Sequence, residues 1–90
     1  HENQPKVVSD LCAQLAGGER RIMGVMIESH LVAGRQDLKP GTELVYGQSI
    51  TDACIDWPTS VGVLDELADA VQARRASQRI AKAEEALGAL

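Results

Sequence analysis

Two carboxylates stand where the surrounding pattern does not ask for an acid. Glu28 ends the apolar run Ile22-Met23-Gly24-Val25-Met26-Ile27, and Asp52 lies between Thr51 and Ala53 in a polar stretch. Two acids brought together at the end of a strand can hold a divalent cation, or divide general-acid and general-base roles between them. Each taken singly also fits a solvated loop acid, and spacing alone does not choose between the readings. His30, two residues beyond Glu28, is a candidate ligand or base, although a lone loop histidine is commonly neither. Arg20, Arg21 and Arg35 have the fork that grips phosphate, and scattered arginines equally often just face solvent. Cys54 reads first as a small buried residue and only second as a soft ligand or redox-sensitive thiol.

Three kinds of element would have to position these groups. Ile22 to Glu28 is a short, continuous, largely β-branched and thioether run between Gly17-Gly18 and the polar loop that starts at Ser29. That pattern predicts a fully buried strand of a parallel sheet over 22–28. Alternation would set Ile22, Gly24, Met26 and Glu28 on one face and Met23, Val25 and Ile27 on the other. Glu28 would then stand at the C-terminal lip of the strand, where α/β barrels build their active sites. Before the strand, the sequence predicts a helix over about 1–17. Pro5 falls in its first turn, Asn3 or Gln4 is a candidate cap, and Val7, Val8, Leu11, Cys12 and Leu15 share one face. Gly17-Gly18 is its stop, with one glycine at φ > 0.

After the strand, residues 29–57 form a long connection punctuated by Gly34, Pro40-Gly41 and Gly47. A loop of that length in a small domain is usually functional. Thr42 to Tyr46 could form a short hairpin arm, and Trp57 an anchor seating the loop on the last helix. That helix is expected over 59–87, capped by Thr59 or Ser60, with Leu64, Leu67, Ala68 and Val71 as its apolar stripe and an alanine-rich tail from Ala81 to Leu90.

Composition narrows the function classes. In 90 residues, 44 % are apolar, yet Phe is absent and there is one Trp and one Tyr, so an independent core would be thin. A net charge of −4 without an extended basic cluster argues against nucleic acid. No apolar run approaches the roughly 18 residues of a membrane span, and the first residues show no basic leader or signal core. Two cysteines without a CxxC spacing suit reduced thiols and a cytoplasmic setting. Opening on His-Glu-Asn-Gln-Pro, the chain reads as the interior of a longer protein or a cut product.

Three blocks carry a resemblance. Leu15-Ala16-Gly17-Gly18-Glu19, Gly24-Val25-Met26-Ile27-Glu28-Ser29-His30-Leu31 and Tyr46-Gly47-Gln48-Ser49-Ile50-Thr51-Asp52-Ala53-Cys54-Ile55 resemble, in order, the C-terminal end of metal-dependent 3-deoxy-D-arabino-heptulosonate 7-phosphate (DAHP) synthases. The resemblance runs from about Val7 to Arg75. It implies an α/β fold, with this chain supplying the seventh helix, eighth strand, following loop and eighth helix of a (β/α)8 barrel. It also implies condensation of phosphoenolpyruvate with erythrose 4-phosphate, releasing phosphate. The implied divalent metal ion, one of Mn, Fe, Co or Zn, is held by a cysteine, a histidine, a glutamate and an aspartate. By position Glu28 matches that glutamate and Asp52 that aspartate, and Asp52 also falls beside the erythrose phosphate site, as a catalytic residue.

The sequence departs from the family's full pattern in several ways. The metal cysteine and histidine belong to segments upstream, and His1 is too close to Cys12 to take the histidine's role. The residues that grip phosphoenolpyruvate are upstream too. Gln48 stands where some relatives have Lys, and the tail beyond Arg75 is longer than the family minimum. The expectation is therefore an isolated chain that is mostly helical, catalytically dead and self-associating through 22–28 and its helix stripes, the parent enzyme being a homo-oligomer. The competing readings are a non-enzymatic helical interaction module and a small all-helical, chorismate-mutase-like dimer. Gly17-Gly18, Gly24 and the long Gly/Pro loop argue against both, since they break a continuous bundle.

Overall fold

Residues 1–88 are described by the computed structural model; Ala89 and Leu90, the end of the alanine-rich tail, lie outside the described residues. Two helices organise the chain: α1 (Gln4–Ala16) and α2 (Trp57–Gly88). Pro5 sits in the first turn of α1, where its missing N–H costs nothing, and Asn3 occupies the cap position without a side-chain cap bond. The helix ends in a Schellman motif. Gly18 takes φ +98°, its N–H donates to Leu15 O, and the Glu19 N–H donates to Gln14 O, each at 3.0 Å.

α2 begins two residues earlier than its sequence suggests. Asp56 is the cap: its Oδ1 accepts the Thr59 N–H at 2.9 Å, and its carbonyl accepts the Ser60 N–H at 3.0 Å. An acidic cap followed by Trp57 and Pro58 explains the shift, since proline is tolerated in a first turn. Thr59 and Ser60 thus lie inside the helix.

The strand expected over 22–28 does not form. Among the described residues the only β-type pairing is three isolated bridges, Ser29↔Ile55 and Arg35↔Ser49 parallel and Gly34↔Cys54 antiparallel. The expected burial is corrected with it, for Met23 is 97 % and Met26 82 % exposed. A parallel strand needs a neighbour to take its N–H and C=O groups and helices to cover its faces. Here only Ile22 and Ile27 of the run reach the core. Nor does Thr42 to Tyr46 form a hairpin; its Val45 backbone is held by the Gln36 side chain instead.

The core lies between the helices. Val8, Cys12 and Leu15 of α1 meet Ile55 and then Val63 and Ala70 of α2, with Ile22, Ile27, Leu67 and Val71 packed around them. Each buried Val, Leu or Ile contributes about 1.5–3 kcal/mol, and Ala and Cys add less. The Arg74 guanidinium straps the segment between the glycine stop and the apolar run onto α2, its Nη1 donating to Glu19 O at 3.2 Å and Ile22 O at 2.8 Å. From Arg79 to Gly88 every residue of α2 is exposed, and the molecule measures 75 × 20 × 15 Å. Neither helix is long and apolar enough to cross a membrane.

Candidate functional site

The site is built where the end of the apolar run meets the end of the long loop. The Ile55 N–H donates to Glu28 O and the His30 N–H donates to Ile55 O, both at 3.0 Å, closing the parallel bridge at Ser29. The hydroxyls of Ser29 and Ser60 hydrogen-bond to each other, and Ser60 Oγ donates to Asp56 O at 2.7 Å, tying this bridge to the start of α2. One residue earlier, Cys54 and Gly34 exchange both backbone bonds, at 2.8 and 3.1 Å. Buried Cys54 also donates its thiol to Asp52 O at 3.4 Å.

Asp52 therefore stands three residues before the rung that closes on Glu28. Its side chain is exposed, while Glu28 is half-buried. Among the described residues no group of three or more His, Cys, Asp or Glu side chains could hold a metal ion. Two hard carboxylates without a thiolate or imidazole beside them do not make a transition-metal site by themselves.

Most of the other candidates are occupied by the chain itself. His30 Nδ1 accepts the Leu31 N–H at 2.8 Å. Arg21 pairs with Glu19 at 2.9 Å, and Arg35 reaches Thr51 O and Asp37, each at 2.9 Å. Arg20 is exposed at the start of the turn. Gln48 donates to Ala33 O at 2.9 Å, a loop tie and not a ligand contact. Trp57 is 56 % exposed, so it is not sunk into the loop as an anchor.

Three glutamine side chains that hydrophobic patterning passes over hold the loop in shape. Gln4 clamps the backbone of Glu28, and Gln36 bonds Val45 on both its N–H and its carbonyl while also donating to Gln48 O. Gln48 is the third. Such amides leave no periodic signal, because they act on backbone distant in sequence. Gly47 was legible as a turn; it takes φ +82°, and a Cβ there would stand 2.9 Å from Leu31 Cβ. Electrostatics shift few groups. Hydrogen bonds from Arg21 hold Glu19 down at about 2, hydrogen bonding from the Thr59 side chain and then its N–H lowers Asp56, and burial followed by the charge of Glu66 raises the Cys12 thiol.

Residues 1–65 match the DAHP synthetase I family. The chain belongs to that family. Among DAHP synthases, the Phe-sensitive phospho-2-dehydro-3-deoxyheptonate aldolase of Escherichia coli K12 is 55 % identical over 74 residues, 82 % of this chain and 21 % of that protein. The Haemophilus influenzae phospho-2-dehydro-3-deoxyheptonate aldolase is 56 % identical over 75 residues, 83 % of this chain and 21 % of its own. A solved structure of the aldolase from Francisella tularensis SCHU S4 superposes with a TM-score of 0.73 at 50 % identity, covering 82 % of this chain and 21 % of that one. The chain thus spans about a fifth of the length of the DAHP synthases it matches.

Proposed function

We propose that these residues supply the seventh helix, eighth strand, active-site loop and eighth helix of a DAHP synthase barrel, which condenses phosphoenolpyruvate with erythrose 4-phosphate to DAHP and phosphate. The observation that supports this most is the Glu28–Ile55 rung, which ties the end of the loop that carries Asp52 to the backbone of Glu28. In this reading Glu28 and Asp52 are two of the four ligands of a divalent ion, and Asp52 also flanks the erythrose phosphate. The cysteine, the histidine and the residues that grip phosphoenolpyruvate lie outside these 90 residues.

The chain alone, with half a ligand set, does not turn over substrate. Its uncovered run at 22–28 leaves apolar side chains and backbone groups that the rest of a barrel would cover and pair. In the complete enzyme carrying this segment, Glu28→Gln and Asp52→Asn each lower metal affinity and turnover. Unchanged metal dependence in either variant removes that residue from the site.

A further inference from the structure

The exposed end of α2 carries a second apolar line that the core does not use. Ala73, Ala76, Ile80, Ala83 and Leu87 recur at alternating steps of three and four, the a/d spacing of a coiled coil. Ile80 is 60 % and Leu87 68 % exposed, so two large side chains on this line lie open to solvent. The residues of α2 that reach the core, Val63, Leu67, Ala70 and Val71, follow a different line. At 100° per residue the two lines lie roughly 145° apart round the helix, so an occupant of one leaves the other free. The line also begins beyond residue 65, where the family match ends.

We propose that residues 73–87 form a seam for a second copy of this chain, the two helices running parallel. Charge chooses both the occupant and its direction. With Ala73, Ile80 and Leu87 at a and Ala76 and Ala83 at d, Arg79 falls at g and Glu84 at the following e. In a parallel pair the g position of one helix faces the next e of the other. Arg79 of each copy then meets Glu84 of the other, twice by symmetry. An antiparallel pair would set g against g and bring Arg79 toward Arg79. An isoleucine at a central a position also suits two strands. A solvent-exposed helical extension of this length is marginal by itself, and a second helix on the seam supplies the burial it lacks. With three alanines the seam is shallow, so the pair is concentration-dependent.

Sedimentation of the 90-residue chain over a concentration series tests this. The expected result is a reversible species of twice the chain mass that weakens with salt. Arg79→Glu and Glu84→Arg each set like charges across the seam and weaken association at least about tenfold. The double variant Arg79→Glu/Glu84→Arg restores it. Arg79→Glu also gains Arg75 and Lys82 as intrahelical neighbours, so a loss there is not a loss of helix. A monomer at every concentration overturns the proposal. So does association that ignores both single variants, which is what pairing through 22–28 would give, or a double variant that fails to recover.

Discussion

The side-chain amide of Gln4 holds both backbone hydrogen-bonding groups of Glu28. Its Nε2 donates to Glu28 O and its Oε1 accepts the Glu28 N–H, each at 2.9 Å. An amide plane offered in this way imitates one rung of a strand, at the place where the candidate carboxylate leaves the backbone. Gln4→Ala should cost about 1–3 kcal/mol by leaving half-buried backbone groups without a partner. The local readout is amide exchange, which should speed up at Glu28 more than at His30, whose N–H is held by Ile55. Equal protection of Glu28 in the variant would show that the clamp is dispensable.

A core of a few medium-sized side chains has little reserve. Leu15 is 3 % exposed and sits between both helices. Leu15→Ala should cost about 2–5 kcal/mol, from lost transfer energy and the cavity left behind. For a domain this small that is enough to abolish a cooperative melt. Val7, one residue off the core line and 58 % exposed, is the control. Val7→Ala should stay within about 0.5 kcal/mol of the parent in urea denaturation.

What the sequence made legible and what it did not divides along physical lines. The helices announce themselves through period and punctuation, so α1 and its Gly17-Gly18 stop are readable from Val8 and Leu15. Of the α2 stripe expected at Leu64, Leu67, Ala68 and Val71, only Leu67 and Val71 pack on the core, while Leu64 is 53 % exposed and Val63 and Ala70 are buried instead. The start of α2 is misjudged because Asp56, Thr59 and Ser60 all suit a cap, and only the geometry shows that Asp56 Oδ1 takes the Thr59 N–H. The run at 22–28 has strand composition, but strandedness is a property of neighbours, and these residues pair only from Ser29 onward. Glu28 and Asp52 are noticeable as acids out of pattern. The tie between their two segments is the bond from Ile55 to Glu28 O, a long-range contact that no local pattern encodes.

Acid should loosen the turn after α1 and the start of α2. Glu19 is held at about 2, against an ordinary value of 4.5, by hydrogen bonds from Arg21, and Asp56 is lowered by hydrogen bonding from the Thr59 side chain and then its N–H. A carboxyl with a depressed folded-state pKa binds fewer protons folded than unfolded, so its contribution is complete above its unfolded value. It is lost as pH falls toward the folded one. Thermal midpoints should be level from about pH 7 to 5 and decline between roughly 4.5 and 2. The Arg21 side chain is 91 % exposed, so the Glu19 share is small and salt-sensitive. Asp56→Asn keeps a good cap while removing its titration. It should match the parent at pH 7 and show a shallower acid limb; an unaltered limb would take Asp56 out of the account.

Arg74 and Arg75 look alike in sequence and should behave differently. Arg74 is half-buried and bonds two carbonyls, Glu19 O and Ile22 O, pinning the entry of the apolar run against α2. Arg75 is exposed. Bonds from a charged donor to backbone carbonyls are worth about 1.5–3 kcal/mol when well shielded, and partial exposure places Arg74→Ala at the lower end. Arg75→Ala should stay within about 0.5 kcal/mol. Arg74→Lys keeps the charge but replaces a planar fork by a single ammonium, which can serve one carbonyl better than two. The order of melting temperatures should be Arg75→Ala, then Arg74→Lys, then Arg74→Ala. If Arg74→Lys equals the parent, charge near the turn matters and the two-carbonyl geometry does not.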